Sequence, residues 1–593
     1  MGDHARTLDG SAVSGSRRAH RAMPRRILAS PSSAATAAEA SLLGLFDTPT
    51  ARAIETRALA ALPAYTLMQR AGSAVAALAR AVKPHARRVL VLAGPGNNGG
   101  DGFEAALQLH LAGYAVSVVA HGDAARLPTD AQTALARARQ GGVAIQPADD
   151  STRVTTGDLG ADDLVIDALL GRGLSRAVTG GLARAIIGLN QVALDVMAVD
   201  LPSGLPSDTG WVTEERGSPC IRARWTLALL SLAPGLWMAQ GRDRAGEVWF
   251  DDLGVTDPGL APQAGLTLWP ARPSTRGHAS NKGSFGDVWV VGGATGMTGA
   301  VALAARAALH AGAGRVYLRP LGTDAPSFDA QAPELMVRSA ASQPARTSTD
   351  ADAAGPSPHD LSTATVVAGC GGGTAMAARL PDLIAHSHRL VLDADALNAI
   401  AASSDLQQAL TLRSADGLGT VLTPHPLEAA RLLGTSAAEV QADRLTAARA
   451  LVDRFGCAVV LKGSGSVVMA PGLLPRINPS GNAALSTPGS GDVLAGWLAG
   501  WWSQLGRSAS AVAAGKTSMA DAPPPAGPTG AQTDACPLQS SEPAAWVTDA
   551  LTACTYSVWS HGRGAELASP AGLALPASEL VLALGSGLRT GQF

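Results

Sequence analysis

The sequence predicts an α/β protein with two domains, in each of which helices cover a largely parallel sheet. Two observations predict this fold class. The chain has 593 residues, which is too long for a single hydrophobic core. Short apolar segments that end in Gly or Asp alternate with Ala-rich segments, first over residues 41–268 and again from residue 287 onward. We therefore expect one domain at 41–268 and a second at 269–593, joined by a linker rich in Pro, Ser and Gly.

Two segments fall outside this alternation. Residues 1–40 are rich in Arg, Ala and Ser and lack the continuous apolar core of a signal peptide, so we predict a disordered tail. Residues 515–543 are rich in Pro, Ala, Gly, Thr and Ser. This composition predicts a flexible insertion in the second domain.

Composition narrows the class of function. Hydrophobic residues make up 46% of the chain and charged residues 16%, as in a globular protein, and no segment is convincing as a membrane span. The formal net charge of −2 argues against nonspecific nucleic-acid binding. The five cysteines form no C-x-x-C pair, so neither a zinc site nor a disulfide framework is indicated, and a reducing cytoplasm is expected.

The first domain contains a strand, a glycine-rich turn and a helix. The apolar residues 89–93 predict a buried strand, residues 102–112 a helix and residues 114–120 the next strand. The turn between the first two elements reads GPGNNGGDG. These elements make a βαβ unit, and the first turn of such a unit is the usual place for a ligand.

Three glycines of this turn match G-x-G-x-x-G, yet the detail speaks against plain dinucleotide binding. Asp101 places a carboxylate where a pyrophosphate would lie, and like charges repel. The carbonyl oxygens of Asn97 and Asn98 suit a cation or a hydroxyl-rich ligand instead. The alternative is a tight turn in which Asp101 caps the helix.

Two more predicted strands end in carboxylates. LVIDALLG at 164–171 and VALDVMAVDLPSG at 192–204 are apolar segments that reach an aspartate and then a glycine turn. Because the carboxyl ends of parallel strands meet at one edge of the sheet, we expect Asp167 and Asp200 to converge with the Asn-rich turn. EVWFDDLG at 247–254 predicts a closing strand.

The second domain shows the same alternation of strands and helices as the first, but with a different sequence. Residues 287–318 again give a strand, a glycine turn, an Ala-rich helix and a strand. The segments TVVAGCGGG, LVLDADALN, TVLTPHPLEAARLLG and AVVLKGSGSVVMA follow the same rhythm. Because no sequence period relates the halves, they are predicted to be two different domains.

The stretch TPGSGDVLAG at 487–496 carries the clearest chemistry. A Gly-Ser-Gly turn at a helix N-terminus offers backbone amides and the positive end of the helix dipole to an anion. Asp492 at that point can take a proton from a hydroxyl. This pairing resembles the phosphoryl-transfer arrangement of the ribokinase-like fold, and no G-K-[ST] follows as in a Walker A loop. The alternative is that Asp492 only caps the helix.

Two further residues are candidates for the same site. Lys462, one of only four lysines, lies at a predicted strand-to-turn junction in VVLKGSGSVV and could hold nucleotide phosphate. The alternative is a solvated lysine at a strand end. His425 lies between two prolines at another strand end, where a rigid turn could present the imidazole to a substrate. An ordinary turn histidine is the alternative there.

Together these motifs resemble one family, the bifunctional NAD(P)H-hydrate repair enzymes, over nearly all of residues 41–593. The first half is similar to the epimerase domain through LMQRAG, GPGNNGGDG, DALLGRGL and VDLPSGLPSDTG. The second half is similar to the ADP-dependent dehydratase through KGSFGDVWVVGG, LDADALN, TPHPLEAARLLG, LKGSGS and NPSGNAALSTPGSGDVLAGWLAG. The resemblance implies a Rossmann-like three-layer αβα domain followed by a ribokinase-like α/β domain.

The resemblance also implies sites. In the first half it implies substrate contacts at Asn97, Asn98, Gly99, Gly100, Asp101, Gly171, Arg172, Gly173, Leu174, Ser175, Arg176, Ala177 and Asp200. Asn98, Asp167 and Ser203 match potassium ligands, and Asp200 is our candidate for proton transfer. In the second half it implies substrate contacts at Ala300, Gly373, His425 and Asp492, and an adenine-nucleotide site at Lys462, Gly463, Ser464, Gly465, Ser466 and Gly491.

The implied reaction restores nicotinamide cofactors that have added water at the reduced ring. The implied substrates are NADHX and NADPHX, with ADP as co-substrate and Mg²⁺ on the nucleotide. Phosphorylation by ADP makes the ring hydroxyl a better leaving group, Asp492 activates that hydroxyl, and an epimerase makes both epimers usable. We expect a homo-oligomer in the cytoplasm, without a nucleic-acid or membrane partner.

The sequence departs from the family in several motifs, which keeps two alternatives open. Ala233 stands where the family has the lysine of KPGL, Arg172 where it has the threonine of GTGL, and Asn281 where it has a histidine, while GCGGG replaces a GPGLG-like loop. One alternative is an ATP-dependent small-molecule kinase of the ribokinase-like fold. The other is a first half that serves as a non-catalytic binding module.

Overall fold

The chain folds around two sheets, each of which has helices on both faces, so the predicted α/β class is confirmed. The computed structural model describes residues 24–27, 42–148, 159–174, 176–213, 218–255, 259–273, 276–338, 355–506 and 544–593. The predicted insertion at 515–543, most of the predicted tail and Ser175 lie outside these residues.

The strands are short and largely buried, as expected for parallel sheets that are covered on both faces. In chain order they are β1 (Arg25–Arg26), β2 (Leu42–Leu45), β3 (Arg88–Ala93), β4 (Ala115–Ala120), β5 (Ala144–Pro147), β6 (Leu164–Ala168), β7 (Asp195–Val199), β8 (Trp225–Leu229), β9 (Glu247–Asp251), β10 (Ala264–Thr267), β11 (Asp287–Gly292), β12 (Arg315–Pro320), β13 (Met336–Val337), β14 (Thr365–Ala368), β15 (Arg389–Leu392), β16 (Gly419–Leu422), β17 (Ala458–Leu461), β18 (Val467–Met469) and β19 (Arg476–Ile477).

The helices connect these strands. They are α1 (Thr48–Ala61), α2 (Thr66–Val82), α3 (Asn97–Leu111), α4 (Thr129–Gln140), α5 (Gly180–Asn190), α6 (Gly241–Ala245), α7 (Thr298–Ala311), α8 (Pro358–Thr363), α9 (Leu380–His386), α10 (Ala394–Ala401), α11 (Ser404–Ala415), α12 (Pro426–Leu433), α13 (Ala437–Ala442), α14 (Arg444–Phe455), α15 (Ser490–Trp502), α16 (Ala545–Ala568) and α17 (Ala577–Thr590). Among the described residues, no helix combines the length and apolar composition needed to span a bilayer.

The first sheet has eight strands among the described residues, in the order β1-β9-β8-β7-β6-β3-β4-β5, and only β1 runs antiparallel to its neighbour. Side chains alternate along β3, so Val89 and Val91 pack against α2, α3 and α4, while Leu90 and Leu92 face α5. The direction of the strand order reverses between β3 and β6. The loops that follow β3, β6 and β7 therefore meet at one edge of the sheet, where a ligand cleft forms.

The second sheet has eleven strands among the described residues, in the order β13-β12-β11-β14-β15-β16-β17-β18-β19-β10-β2. It is parallel from β13 to β17 and antiparallel at β18. Helices α7, α15 and α16 cover one face, and α9 to α14 cover the other. The strand order reverses between β11 and β14, which places the loops after these strands beside the N-terminus of α15.

Two segments at the ends of the predicted first domain pair with the second sheet. β10 pairs in parallel with β19 and antiparallel with β2, so 42–45 and 264–267 extend the second sheet. The sequence could not show this, because both segments carry apolar residues that fit either sheet. Pairing them beside the two-residue β19 covers an edge that would otherwise be open.

Four residues of the predicted tail have a defined place in the fold. Arg25 and Arg26 pair with β9, and Ile27 is buried in a core cluster, so residues 24–27 belong to the fold. The predicted disorder of residues 1–40 is therefore wrong for these four residues.

The two halves share one hydrophobic core. A single cluster of buried side chains joins Leu201 and Leu236 of the first half to Leu461, Val467 and Ile477 of the second. Removal of either half would expose this cluster, whereas the other clusters of the described residues each lie within one half.

The glycine-rich turn after β3 differs from its prediction. Helix α3 begins at Asn97 rather than at residue 102, so most of the predicted turn lies in its first turns. A Cβ on Gly99 would lie only 2.0 Å from the carbonyl oxygen of Gly94, and one on Gly102 would lie 2.6 Å from the Cβ of Ala168. These glycines permit close approach of the helix to the strand ends.

Candidate active sites

A cavity of about 460 Å³ lies at the carboxyl edge of the first sheet. It brings together the start of α3, the loop after β6 and the loop after β7, as the sequence predicts for Asp200 and the Asn-rich segment. Of the predicted substrate residues, it is lined by Asn97, Asn98, Asp101, Gly171, Arg172, Gly173 and Asp200. Gly99, Gly100, Leu174, Arg176 and Ala177 are not among its lining residues.

Of the four carboxyl groups that line this cavity, those of Glu55, Asp101 and Asp200 interact through their charges, and the fourth belongs to Asp130. Burial raises the pKa of Asp101 well above its usual range, and the charges of Asp200 and Glu55 raise it further. Glu55, on α1, has its pKa raised by burial and then by Asp200. The sequence analysis missed Glu55, whose only signal is its place beside the buried Ile54 on an amphipathic helix.

Arg172 and Arg52 are the cationic residues that line this cavity, and Arg172 is the one that pairs with Asp200. Its Nε lies 3.6 Å from Asp200 Oδ1, and both side chains are largely buried. Its guanidinium also donates to the carbonyl oxygens of Phe46, at 3.4 Å, and Ser231. The residue that departs from the family motif therefore anchors the loop after β6 and neutralises part of the acidic cavity.

Asp200 is held in an unusual backbone conformation. Its φ of 64° lies in the left-handed region, which costs free energy for a residue other than glycine. Its Oδ1 is buried and has no hydrogen-bond partner among the described residues. Strain of this kind is typical of a side chain that the fold orients for a function.

Asp167 and Ser203 meet beneath the cavity. Asp167 is fully buried and accepts hydrogen bonds from Ser203 N at 2.8 Å, Ser203 Oγ at 2.6 Å and Leu169 N at 3.2 Å. Burial raises its pKa to about 6, although these hydrogen bonds oppose the change. No cationic side chain pairs with it among the described residues.

Asn98 lies at the start of α3 and lines the same cavity. Both polar atoms of its side chain are buried without a hydrogen-bond partner among the described residues. A Cβ built on Gly171 would lie 3.4 Å from Asn98 Oδ1 and 3.2 Å from Asp200 Oδ2. The amide of Asn98 and the carboxyl group of Asp200 therefore both approach Gly171. An unpaired amide and a buried carboxylate without a countercharge fit a cation that binds oxygen.

The second site surrounds the N-terminus of α15. Burial raises the pKa of Asp492 to about 6, the charge of Asp393 adds to this, and a hydrogen bond with Cys370 opposes it. One ligand atom from each of these three side chains lies within 4.8 Å of the others. The proximity of Cys370 was not predicted, because the loop GCGGG gives no sign of which helix it will face.

Lys462 connects this group to the nucleotide segment. Its Nζ lies 2.6 Å from Asp393 Oδ1 and 3.9 Å from Glu428 Oε2. Burial lowers its pKa, but the two carboxylates more than compensate, so the net shift is upward. A Cβ on Gly491 would lie 3.3 Å from Nζ, which places the ammonium group beside the first turn of α15.

The helix terminus has the geometry that anion binding needs. Gly489 is the N-cap of α15 with a φ of 88°, a conformation that favours glycine. The backbone amides that follow it have no helical partner, and the helix dipole adds positive potential there. The alternative that Asp492 is merely the cap is excluded, since Gly489 holds that position.

His425 caps a helix and also faces a cavity. It is the N-cap of α12, where Nδ1 accepts from the amides of Leu427 and Glu428 at 3.1 and 3.3 Å. It also lines the large cavity of this half. Burial, and then the charge of Lys462, lower its pKa, so the imidazole is favoured in its neutral form.

Ala300 and Gly373 lie together near Cys370. A Cβ on Gly371 would lie 2.9 Å from the Cβ of Ala300, so α7 packs closely on the loop after β14. The amide of Gly373 donates to Asp395 Oδ2 at 2.8 Å. Ala300 therefore packs against the loop that carries Cys370, and Gly373 lies three residues after Cys370 in the chain.

A cavity of about 820 Å³ in this half is lined in part by Lys462. Of the predicted nucleotide residues, it is lined by Lys462, Gly463, Ser464, Ser466 and Gly491. His561, which the sequence analysis missed, also lines it, and its Nε2 lies 3.0 Å from the carbonyl oxygen of Ser490. Burial lowers the pKa of His561 to about 4, so it is neutral at physiological pH.

Comparisons with known proteins agree with this two-site organisation. Residues 64–235 match the family described as YjeF-related protein N-terminus, and residues 288–526 match NAD(P)H-hydrate dehydratase. The chain is 35% identical over 449 residues to the bifunctional NAD(P)H-hydrate repair enzyme of Escherichia coli K12, which covers 73% of this chain and 80% of that one. It is also 35% identical over 459 residues to the enzyme of the same name from Moorella thermoacetica, which covers 74% of this chain and 84% of that one.

A solved structure of a ribokinase-like superfamily protein from Enterococcus faecalis is 18% identical, with a TM-score of 0.39 over 54% of this chain and 91% of that one. The identity to the curated relatives extends over most of both chains and through both halves. The chain belongs to the family of bifunctional NAD(P)H-hydrate repair enzymes.

Proposed function

We propose that the second half dehydrates the S epimer of hydrated NADH or NADPH with ADP, and that the first half interconverts the R and S epimers. The observation that carries the dehydration is the arrangement around α15. An ionisable carboxylate, a fixed ammonium group and the amides of a helix N-terminus converge at the start of α15, where Lys462, Ser490 and Gly491 line the nucleotide cavity. A general base beside an anion-binding terminus is what phosphoryl transfer to a hydroxyl needs.

The proposed reaction has two steps. Asp492 takes the proton from the ring hydroxyl, whose oxygen attacks the β-phosphorus of ADP, and AMP leaves. Phosphate then leaves from the ring carbon as the dihydronicotinamide double bond re-forms, with loss of a ring proton. Lys462 and the amides of residues 489–491 stabilise the charge on the transferring group, because they are already oriented toward it.

Magnesium is expected to travel with the nucleotide. Among the described residues, Asp393 is engaged by Lys462 and by Thr423 Oγ1, at 2.6 and 2.7 Å, and Asp492 is needed as the base. These residues leave no uncommitted pair of carboxylates for a dedicated magnesium site, so we derive no step through the metal.

For the first half we propose that Asp200 transfers the proton that allows the epimers to interconvert. The support is its strained backbone, its position in the cavity and the neighbouring Arg172. We further propose that Asn98, Asp167 and Ser203 hold potassium, which would supply the missing countercharge for Asp167. The cytoplasmic location, the homo-oligomer and the use of both NADHX and NADPHX stay predictions.

A direct assay tests the proposal. The whole protein is incubated with mixed hydrate epimers and ADP, and the absorbance of the reduced ring is followed together with AMP and phosphate. Recovery of the reduced cofactor with one AMP and one phosphate per turnover is expected. A stable phosphate ester formed from ATP would instead support the kinase alternative.

The binding-module alternative needs a different measurement. Pure R hydrate is supplied with ADP, and its consumption is compared with the rate of spontaneous epimerisation. Consumption no faster than the spontaneous rate would show that the first half is not an active epimerase.

A further inference from the structure

The nucleotide segment of the second half is held in place by the first half. A Cβ on Gly465 would lie 2.0 Å from the carbonyl oxygen of Trp237, and the φ of Gly465 is 66°. The amide of Ala239 donates to the carbonyl oxygen of Ser464 at 3.2 Å. Residues 462–466 therefore have their conformation set by contact with residues 237–239, and Gly465 is glycine because no side chain would fit there.

The first half also forms part of the cavity wall. Six of its residues, Leu236, Trp237, Arg242, Asp243, Gly246 and Val248, line the 820 Å³ cavity opposite Lys462 and Gly491. Trp237 is 4% exposed, and its indole Nε1 is buried without a hydrogen-bond partner among the described residues. Unpartnered donors of this kind are rare in the interior of a folded protein.

Arg242 is the charged member of this wall. It lies in α6 of the first half, and its Nη2 donates to the carbonyl oxygen of Gly481 in the second half at 2.6 Å. Burial lowers its pKa, and the charges of Glu566 and Asp243 oppose this. Its Nη1 also donates to the carbonyl oxygen of Ser480 at 3.5 Å. A guanidinium has five N–H donors, so these two contacts with carbonyl oxygens leave capacity for an anion in the same cavity.

We propose that the nucleotide site is shared between the halves: Arg242 contacts the bound nucleoside diphosphate, and the segment around Trp237 shapes the loop that holds it. The inference rests on the proposed function, since it takes ADP as the occupant of this cavity. It makes the first half a structural part of the dehydratase even where epimerisation is not needed. Because the ligand touches both halves, ADP binding and the packing of the halves on each other are coupled.

Hydrogen exchange on the unmodified full-length protein gives the first test. Saturating ADP is expected to slow amide exchange in residues 236–248 of the first half as well as in residues 462–466. Exchange in 89–111, around the other cavity, is expected to stay unchanged. Protection of 462–466 without any change in 236–248 would overturn the inference while leaving the proposed function intact. If ADP slows exchange in no part of the protein, the proposed function fails as well. That result differs from protection of 462–466 alone, which overturns only the shared site.

Binding measurements on full-length variants give the second test. Arg242→Met keeps an unbranched apolar side chain and removes the guanidinium group with its charge, and it is expected to weaken ADP binding by about tenfold or more, as for the loss of a charged hydrogen bond. Adenosine binding should change much less, because adenosine carries no phosphate. Arg222→Met, at an exposed position of the same half outside the cavity, is the matched control. ADP affinity within about twofold of the wild type in Arg242→Met would overturn the inference.

Discussion

The ammonium group of Lys462 lies 2.6 Å from Asp393 Oδ1, which also accepts a hydrogen bond from Thr423 Oγ1 at 2.7 Å. This carboxylate fixes the cation beside the N-terminus of α15 rather than leaving it to move on a flexible stem. The pairing also raises the pKa of Lys462, so the site keeps its positive charge throughout the physiological range. The fold therefore fixes the charged groups of Lys462 and Asp393 near Asp492 before a substrate binds.

Asp492→Asn should abolish most of the dehydration while leaving the fold and ADP binding largely intact, because only the proton acceptor is lost. The rate with S hydrate and ADP should fall by roughly 10²–10⁴-fold. Asp405→Asn is the matched control, since Asp405 lies in the first turn of α11 and is exposed. A rate within about threefold of the wild type would rule out a general-base role.

The dehydration rate should depend on pH through Asp492. Burial raises its pKa to about 6, and only the ionised form accepts a proton, so the rate should fall about tenfold per pH unit as the pH drops below about 6. The hydrogen bond with Cys370 lowers this pKa, so Cys370→Ala should move the fall in rate to higher pH. Cys370→Ser keeps a donor and should move it less. Identical profiles for wild type and Cys370→Ala would contradict this role of the thiol.

Potassium should stabilise the protein through Asp167. A cation that binds only the folded state adds about 2.7 kcal/mol to the free energy of unfolding at about 100 times its Kd. The Tm in KCl should therefore exceed that in choline chloride at equal ionic strength, and Asp167→Asn should remove the difference. Asp162→Asn, at the exposed start of the same strand region, should keep it. Equal Tm values for the wild type in both salts would disprove the site.

Asp200→Asn should stop epimerisation without affecting dehydration. Consumption of pure R hydrate should fall toward the spontaneous rate. Loss of a general base usually lowers a rate by roughly 10²–10⁴-fold. Dehydration of S hydrate by the same variant should be unchanged, because Asp200 lies in the other cavity. Asp162→Asn serves as the control here too. Continued rapid use of R hydrate by Asp200→Asn would assign the proton transfer to another residue.

Two glycines at the start of α3 should respond differently to a methyl group. In Gly99→Ala the Cβ would meet the carbonyl oxygen of Gly94 at 2.0 Å, so the variant should lose about 1–3 kcal/mol of stability. In Gly96→Ala the Cβ meets nothing within 4 Å, and the change should be within about 0.5 kcal/mol. Urea unfolding of both full-length variants measures the difference. Equal losses would show that close packing of the helix is not what requires glycine at position 99.

The sequence predicted the residues whose position follows from strand ends. Asp200 and Asn98 meet because the loops after parallel strands share one edge of a sheet. Glu55 could not be predicted in this way, because its place depends on how α1 packs across the sheet edge. The contact of Cys370 with Asp492 likewise depends on the packing of α15 against β14. Local patterns carry no information of that kind.

The pairing of β2 with β10, and of β10 with β19, sets an order for the synthesis of this protein. A ribosome completes β2 and all strands of the first sheet before it reaches β10, and it reaches β19 roughly 200 residues later, on the order of 10–40 s at about 5–20 residues per second. During that interval β10 can pair with β2 on one side but still lacks β19 on the other. If the two halves were made as separate polypeptides, the second half would expose the edge of its sheet at β19. Both halves would expose their parts of the shared core cluster.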